Sequence, residues 1–243
     1  MMLCTYTVYV DDLLEGGNDH IERQRMRKNM EKRFLAKCLG RVSFILGIAC
    51  EWDDSGGCKM SQTAFKKRLI SKYNMQGGKH RYTPADQKPT EEMCPQTPEE
   101  AKAMEKVPFR QAIGGELYLV VCTCPDIAYI VGALARYSHK PGKTHWNMVK
   151  AVLKYLKQTR EMGLCYKAQK NLPKDKNGIV IVGTEVWTDS SYIDGDEGKT
   201  TLGELIYNGS HLIHWRSFLS TCVPQSTAEA EIMAANSGAK ESQ

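Results

Sequence analysis

The stretch Tyr6-Thr7-Val8-Tyr9-Val10-Asp11-Asp12-Leu13-Leu14-Glu15-Gly16-Gly17 constrains this chain more than any other. An apolar run rich in β-branched and aromatic residues enters two adjacent carboxylates and leaves through a second apolar run into paired glycines. That order predicts a β-hairpin with Asp11 and Asp12 at its turn. Two acids at one turn repel each other, and a divalent cation between them relieves the repulsion. Hard oxygen ligands of this kind suit Mg²⁺, which keeps part of its shell for substrate phosphates. The plain alternative is a solvated Asp-Asp turn, because Asp is a common turn former.

With 243 residues, 42% hydrophobic and 25% charged, the chain is long enough for a sizeable core in one or two domains. Lys and Arg number 33 against 28 Asp and Glu, so the net charge is only +5. Polyanion binding therefore rests on local clusters rather than on the summed field. No window has the apolar length of a membrane span, and Met1-Met2-Leu3-Cys4-Thr5 lacks the basic segment and apolar core of a signal peptide. The expectation is a soluble intracellular protein, cytoplasmic and nuclear. Nine cysteines at irregular spacing fit neither a zinc ribbon nor a secreted disulfide framework and read as free, mostly structural thiols.

Further along, Asn18 is placed to cap a helix running to about Lys37, with Ile21, Met26, Met30 and Phe34 on one side and Leu39-Gly40 at its end. Its other faces carry Arg23, Arg25, Arg27, Lys28, Lys32, Arg33 and Lys37, which read either as a solvated face or as phosphate contacts. Val42 to Ile48 predicts a strand, Asp53-Asp54-Ser55-Gly56-Gly57 a turn, and Cys58 to Gln62 the returning strand. Phe65, Leu69 and Tyr73 have helical spacing. Residues 77–107 mix Gly, Pro, Thr and charge, which predicts a crossing loop with a short helix at Pro98 to Glu105. Pro108 to Ser138 predicts amphipathic helices. A further helix over Met148 to Thr159 turns Val149, Val152, Leu153 and Leu156 inward and Lys150, Lys154 and Lys157 outward. After a strand at Ile179 to Val182, three antiparallel strands ending in Asp189-Ser190-Ser191, Leu205-Ile206-Tyr207 and Leu212-Ile213-His214-Trp215 are separated by turns at Gly195, Gly198 and Asn208-Gly209; a helix follows from about Ser226.

Tyr9-Val10-Asp11-Asp12 between two strands resembles the YVDD hairpin of reverse transcriptase palms, and its continuation into Leu13-Leu14 resembles the Ty1/copia class of retrotransposon Pol polyproteins. The hairpin near Phe44 to Gln62 resembles that family's primer grip. The longest resemblance is the ordered series Phe109-Arg110-Gln111-Ala112-Ile113-Gly114, Cys124-Pro125-Asp126-Ile127, His145-Trp146 and Leu153 to Thr159, followed by the strands and helix around Asp189 and Glu231. Departures from the family pattern are Glu116 in place of an apolar residue, Cys124 in place of Arg, Ser191 in place of a second Asp, Phe218 and Leu219 in place of a basic pair, and Pro224 in place of a small residue. An acid in a helix meant to be buried is costly unless paired.

The resemblance implies an α+β fold made of the C-terminal part of a palm (1–62), thumb and connection helices (63–162) and a truncated RNase H-like domain (163–243). It implies RNA-directed DNA polymerase chemistry with two Mg²⁺ ions, Asp11 and Asp12 as ligands, and Asp189 and Glu231 as ligands of a second, hybrid-cleaving site. The implied partners are an RNA template, a DNA primer, an RNA/DNA hybrid and deoxynucleotides, read through shape and backbone. The family's remaining palm Asp lies on an upstream strand, and a further RNase H Asp lies beyond the Glu-bearing helix. A chain that begins eight residues before Tyr9 and stops twelve after Glu231 is therefore expected to be a fragment without activity in isolation. The alternative is a non-catalytic remnant, acting at most as a nucleic-acid-binding module.

Overall fold

The computed structural model describes residues 4–169, 172–174, 176, 181–193 and 198–242. Among these residues the fold is mixed, with three small antiparallel sheets and a central group of helices. Strands β1 (Cys4–Tyr9) and β2 (Asp12–Gly17) form the first hairpin, with Tyr9 opposite Asp12. Helix α1 (His20–Arg33) follows. Its N-cap is Asp19 rather than Asn18: the Asp19 carboxylate accepts from the Ile21 and Glu22 amides at 3.0 Å each, filling two of the donors a helix start leaves open. The helix also stops at Arg33, four residues short of the expected end. Its supposed apolar face is not covered, since Ile21 is 79% exposed and Phe34, already extended, 61%.

The expected strand from Val42 to Ile48 is instead a tight hairpin. β3 (Phe44–Ile45) turns at Leu46-Gly47 into β4 (Ile48–Trp52), which returns through Asp53 to Gly57 as β5 (Cys58–Ser61). Both turn residues are left-handed, Leu46 at φ 49 and Gly47 at φ 73, the primed geometry that matches strand twist. A fourth strand, β6 (Leu164–Tyr166), pairs with β5 from far along the chain, with Tyr166 opposite Cys58.

The core lies among four helices: α2 (Thr63–Lys72), α4 (Phe109–Cys122), α5 (Ala128–Arg136) and α6 (Lys143–Gln158). The short α3 (Pro98–Met104) occurs where Pro at the first helical position predicts it. On α6, Val149, Val152, Leu153 and Leu156 are all fully buried, as the 3.6-residue stripe requires. The helix begins earlier than its apolar stripe, at Lys143, because His145 supplies the start. The Gly142 amide donates to His145 Nδ1 at 3.1 Å, which leaves the proton on Nε2 for the Thr90 carbonyl at 3.0 Å, and the ring stacks on Tyr137. A Cβ at Gly142 would collide with the Met93 carbonyl, so that position takes glycine.

The third sheet runs β7 (Thr184–Ser191), β8 (Thr201–Asn208) and β9 (His211–Leu219), with α7 (Thr227–Glu241) capped by Ser226. Ile179, Val180 and Gly195 lie outside the described residues, while Ile181 and Val182 are not in a strand. Trp215 Nε1 donates to the Val120 carbonyl at 2.7 Å and Tyr166 Oη to the Leu212 carbonyl at 3.0 Å, tying this sheet to α4 and to β6. Among the described residues no helix is long and apolar enough to cross a membrane.

Candidate catalytic carboxylates and nucleic-acid interface

The register of the first hairpin leaves a two-residue turn, Val10-Asp11, with Asp12 opening the returning strand. Val10 is left-handed at φ 50 and 82% exposed. A β-branched residue in that region is strained by about 1–2 kcal/mol or more, and strain of this kind persists where a turn must hold a particular side chain in place. Here it presents two consecutive carboxylates at an exposed tip. Val10→Gly relieves the strain against a smaller loss of chain entropy and should stabilise the hairpin by about 1 kcal/mol. Slower amide exchange across 4–17 is the readout, and unchanged or faster exchange contradicts the strain.

Among the described residues no hydrogen bond or ion pair engages the Asp11 or Asp12 carboxylates. The second acidic turn of the chain is the opposite case. Asp53 accepts from Ser55 Oγ at 2.7 Å and from the Gly57 amide at 2.8 Å, and these bonds hold its carboxyl below its ordinary pKa. Asp53 is thus spent on its own turn, whereas Asp11 and Asp12 remain open to an external cation.

Behind the carboxylate turn, Glu15 on β2 pairs with Arg23 at 3.3 Å and with Arg27, which fixes α1 against the hairpin. Arg25 pairs with Glu22 at 3.3 Å. Among the described residues Lys28, Lys32, Arg33 and Lys37 form no ion pair. Part of the predicted basic run is therefore internal scaffolding, and the remainder is an exposed cationic surface.

The other predicted pair does not converge. Val186 and Thr188 of β7 meet Gly238 of α7, and Ser190 Oγ donates to Glu231 Oε1 at 2.7 Å. Even-numbered positions of β7 therefore face the helix, and the pleat turns Asp189 to the opposite side of the sheet. Glu231 contributes to packing α7 on the strand, while Asp189 stands exposed at the far face. Among the described residues no three or more His, Cys, Asp or Glu side chains gather closely enough to share a metal ion.

Sequence reasoning did not single out Glu204, the buried acid of this sheet at 2% exposure. It accepts from Ser237 Oγ at 2.8 Å, contacts His214 Nε2 at 3.2 Å and lies 3.9 Å from Arg216, which also reaches Glu241 at 3.6 Å. An acid on the central strand, opposite Arg216 in the ladder, was a readable signal for such a network.

Residues 3–87 match the family described as reverse transcriptase (RNA-dependent DNA polymerase). The chain is 35% identical over 237 residues to the retrovirus-related Pol polyprotein from transposon TNT 1-94 of Nicotiana tabacum, an alignment covering 96% of this chain and 17% of that protein. It belongs to the copia-type retrotransposon Pol family. Two further Pol polyproteins, from transposons RE2 and RE1 of Arabidopsis thaliana, are 30% and 29% identical over 225 residues, each covering 92% of this chain and 14% of theirs. The chain thus spans about a sixth of the length of these copia-type relatives. No solved structure matches it.

Proposed function

We propose that this copia-type chain is the reverse transcriptase region from the catalytic hairpin onward, with 1–62 belonging to the palm, 63–162 to thumb and connection, and 163–243 to an RNase H-like domain. The strand β6 then crosses back from the third segment to complete the sheet of the first. The observation that carries the reading is the strained, exposed Val10-Asp11 turn, which leaves Asp11 and Asp12 unengaged in a chain so similar to Pol polyproteins.

The two carboxylates fit Mg²⁺ by chemistry: hard, anionic oxygens on consecutive residues with no internal partner. Bound there, Mg²⁺ would activate a primer 3′ oxygen and neutralise charge on the leaving pyrophosphate. Asp11 and Asp12 hold and orient the cation, and Val10 keeps them at the tip. The basic surface of α1 draws in the phosphate backbone, and the β3–β4 hairpin serves as primer grip. Nucleic-acid template, primer and deoxynucleotides are the partners this assigns. Asp189 and Glu231, on opposite sides of β7, do not fit a shared metal, so no cleavage step is derived for them.

With no more than two carboxylates at the hairpin and none convergent at β7 among the described residues, the 243-residue chain alone should neither extend a primer on an RNA template nor cut a hybrid. Extension that disappears in Asp11→Asn would overturn that expectation. The non-catalytic reading draws on the same lack of convergence, and it shares one measurable property with the polymerase reading. RNA/DNA hybrid binding should weaken roughly 10- to 100-fold between about 50 and 200 mM salt, the slope of about two to four released counterions. Lys28→Glu with Lys32→Glu should flatten that slope; salt-independent binding removes nucleic acid from the partners.

A further inference from the structure

The β3–β4 turn is held from outside. Leu46 is left-handed without being glycine, a conformation that costs about 1 kcal/mol or more unless its surroundings enforce it. The enforcing group comes from the helical core: Tyr118 of α4 donates its hydroxyl to the Leu46 carbonyl. Gly47 completes the fit, because a Cβ there would lie 2.9 Å from Tyr118 Oη. The Tyr118 ring is itself fixed, edge-on to Phe65 of α2 with centroids 5.1 Å apart. One helical turn on, the Cys122 thiol is close enough to hydrogen-bond the same hydroxyl.

We propose that Tyr118 is a positioning residue that clamps the Leu46-Gly47 turn to the helical core and so fixes where that turn stands. The contact geometry stands without any assumption about activity; only its consequence for primer placement rests on the reading of Asp11 and Asp12 as the polymerase pair.

Hydrogen exchange on the full 243-residue chain tests the clamp. Tyr118→Phe keeps the ring on Phe65 and removes only the donor. Amides of 44–50 should exchange about tenfold faster, the loss expected from one hydrogen bond, with those of α4 and α6 unchanged. In a Leu46→Gly background, where the turn no longer needs enforcing, Tyr118→Phe should change exchange at 44–50 far less, a rescue that a merely space-filling tyrosine would not show. Unchanged exchange at 44–50 in Tyr118→Phe, or an equal rise throughout α4 and α6, overturns the proposal. A second arm uses an RNA/DNA hybrid as probe. Severalfold weaker binding by Tyr118→Phe at the same salt slope supports the clamp as a placement device. Faster exchange at 44–50 with unaltered hybrid affinity supports the clamp and counts against the polymerase reading.

Discussion

Glu116→Leu should raise the unfolding free energy of this chain at neutral pH by about 3 kcal/mol, several degrees in midpoint temperature for a chain of this size. Glu116 is on α4 and 0% exposed, and neither of its carboxylate oxygens has a hydrogen-bond partner. The nearby Tyr73 hydroxyl is also unpartnered, and the charge of Glu116 adds to the burial that raises the Tyr73 pKa. Burial alone pushes the Glu116 carboxyl well above its ordinary value of 4.5. The sign follows from linkage. An acid whose folded pKa is raised contributes nothing unfavourable below its unfolded pKa, where both states are protonated. As pH rises above 4.5 the unfolded chain releases the proton first, and stability falls by up to about 1.4 kcal/mol per pH unit until the folded pKa is reached. The advantage of Leu should therefore be smallest near pH 4 and grow toward neutrality. Glu116→Gln should remove the pH dependence while recovering less stability, because its amide is still buried without partners. A destabilised Leu variant, or a gain independent of pH, would show that a partner satisfies the carboxyl in solution.

Lys66→Ala should act in the opposite direction, lowering stability by about 3–5 kcal/mol. Lys66 on α2 is 1% exposed, and its Nζ donates to the carbonyls of Thr159 at 3.1 Å and Met162 at 2.9 Å. Thr159 caps the end of α6, where helix geometry leaves acceptors open and the macrodipole favours a cation, and Met162 lies in the turn that leads from it to β6. Truncation removes the cation, opens a cavity along the lysine stem and strands the Met162 carbonyl, while the Thr159 carbonyl keeps only the Met162 amide at 3.0 Å. Because Leu164 follows two residues later and pairs with Met60, β6 should loosen as well. Lys66→Met retains the packing and should lose about 2–3 kcal/mol. Denaturant midpoints with exchange at 164–166 provide the measurement, and a change within about 0.5 kcal/mol for both variants would contradict the capping role.

Legibility in the sequence followed the range of the forces involved. The α6 stripe and the Ser226 cap of α7 are local and were readable from spacing, as was the Tyr9-to-Asp12 hairpin. The β3–β4 turn was not, because a leucine held left-handed by a tyrosine about 70 residues away leaves no turn signal of its own; only Gly47 hinted at it. The apolar side expected of α1 is not buried. Ile21, Met26 and Met30 are spaced five and four apart, and with Phe34 beyond the helix end they do not make a covered stripe. For the carboxylates, the family resemblance implies that Asp189 and Glu231 share a site, but which face of β7 each occupies is set by the pleat and by Ser190, which a residue pattern does not carry. Lys66 lies on a helix rich in lysine and arginine, so its burial had no distinguishing mark in composition.

The central claim is that the Val10-Asp11-Asp12 tip is a divalent-cation site. It is tested most directly by titrating the ¹⁵N-labelled chain with Mn²⁺, whose unpaired electrons broaden nearby amide resonances. The Asp53-Asp54 turn serves as an internal control because Asp53 is already engaged by Ser55 and Gly57. Selective broadening of the amides around residues 10–13, competed by Mg²⁺, absent at 53–57 and lost in Asp11→Asn with Asp12→Asn, is the predicted result. Equal broadening at both turns, or none at 10–13, would contradict the account.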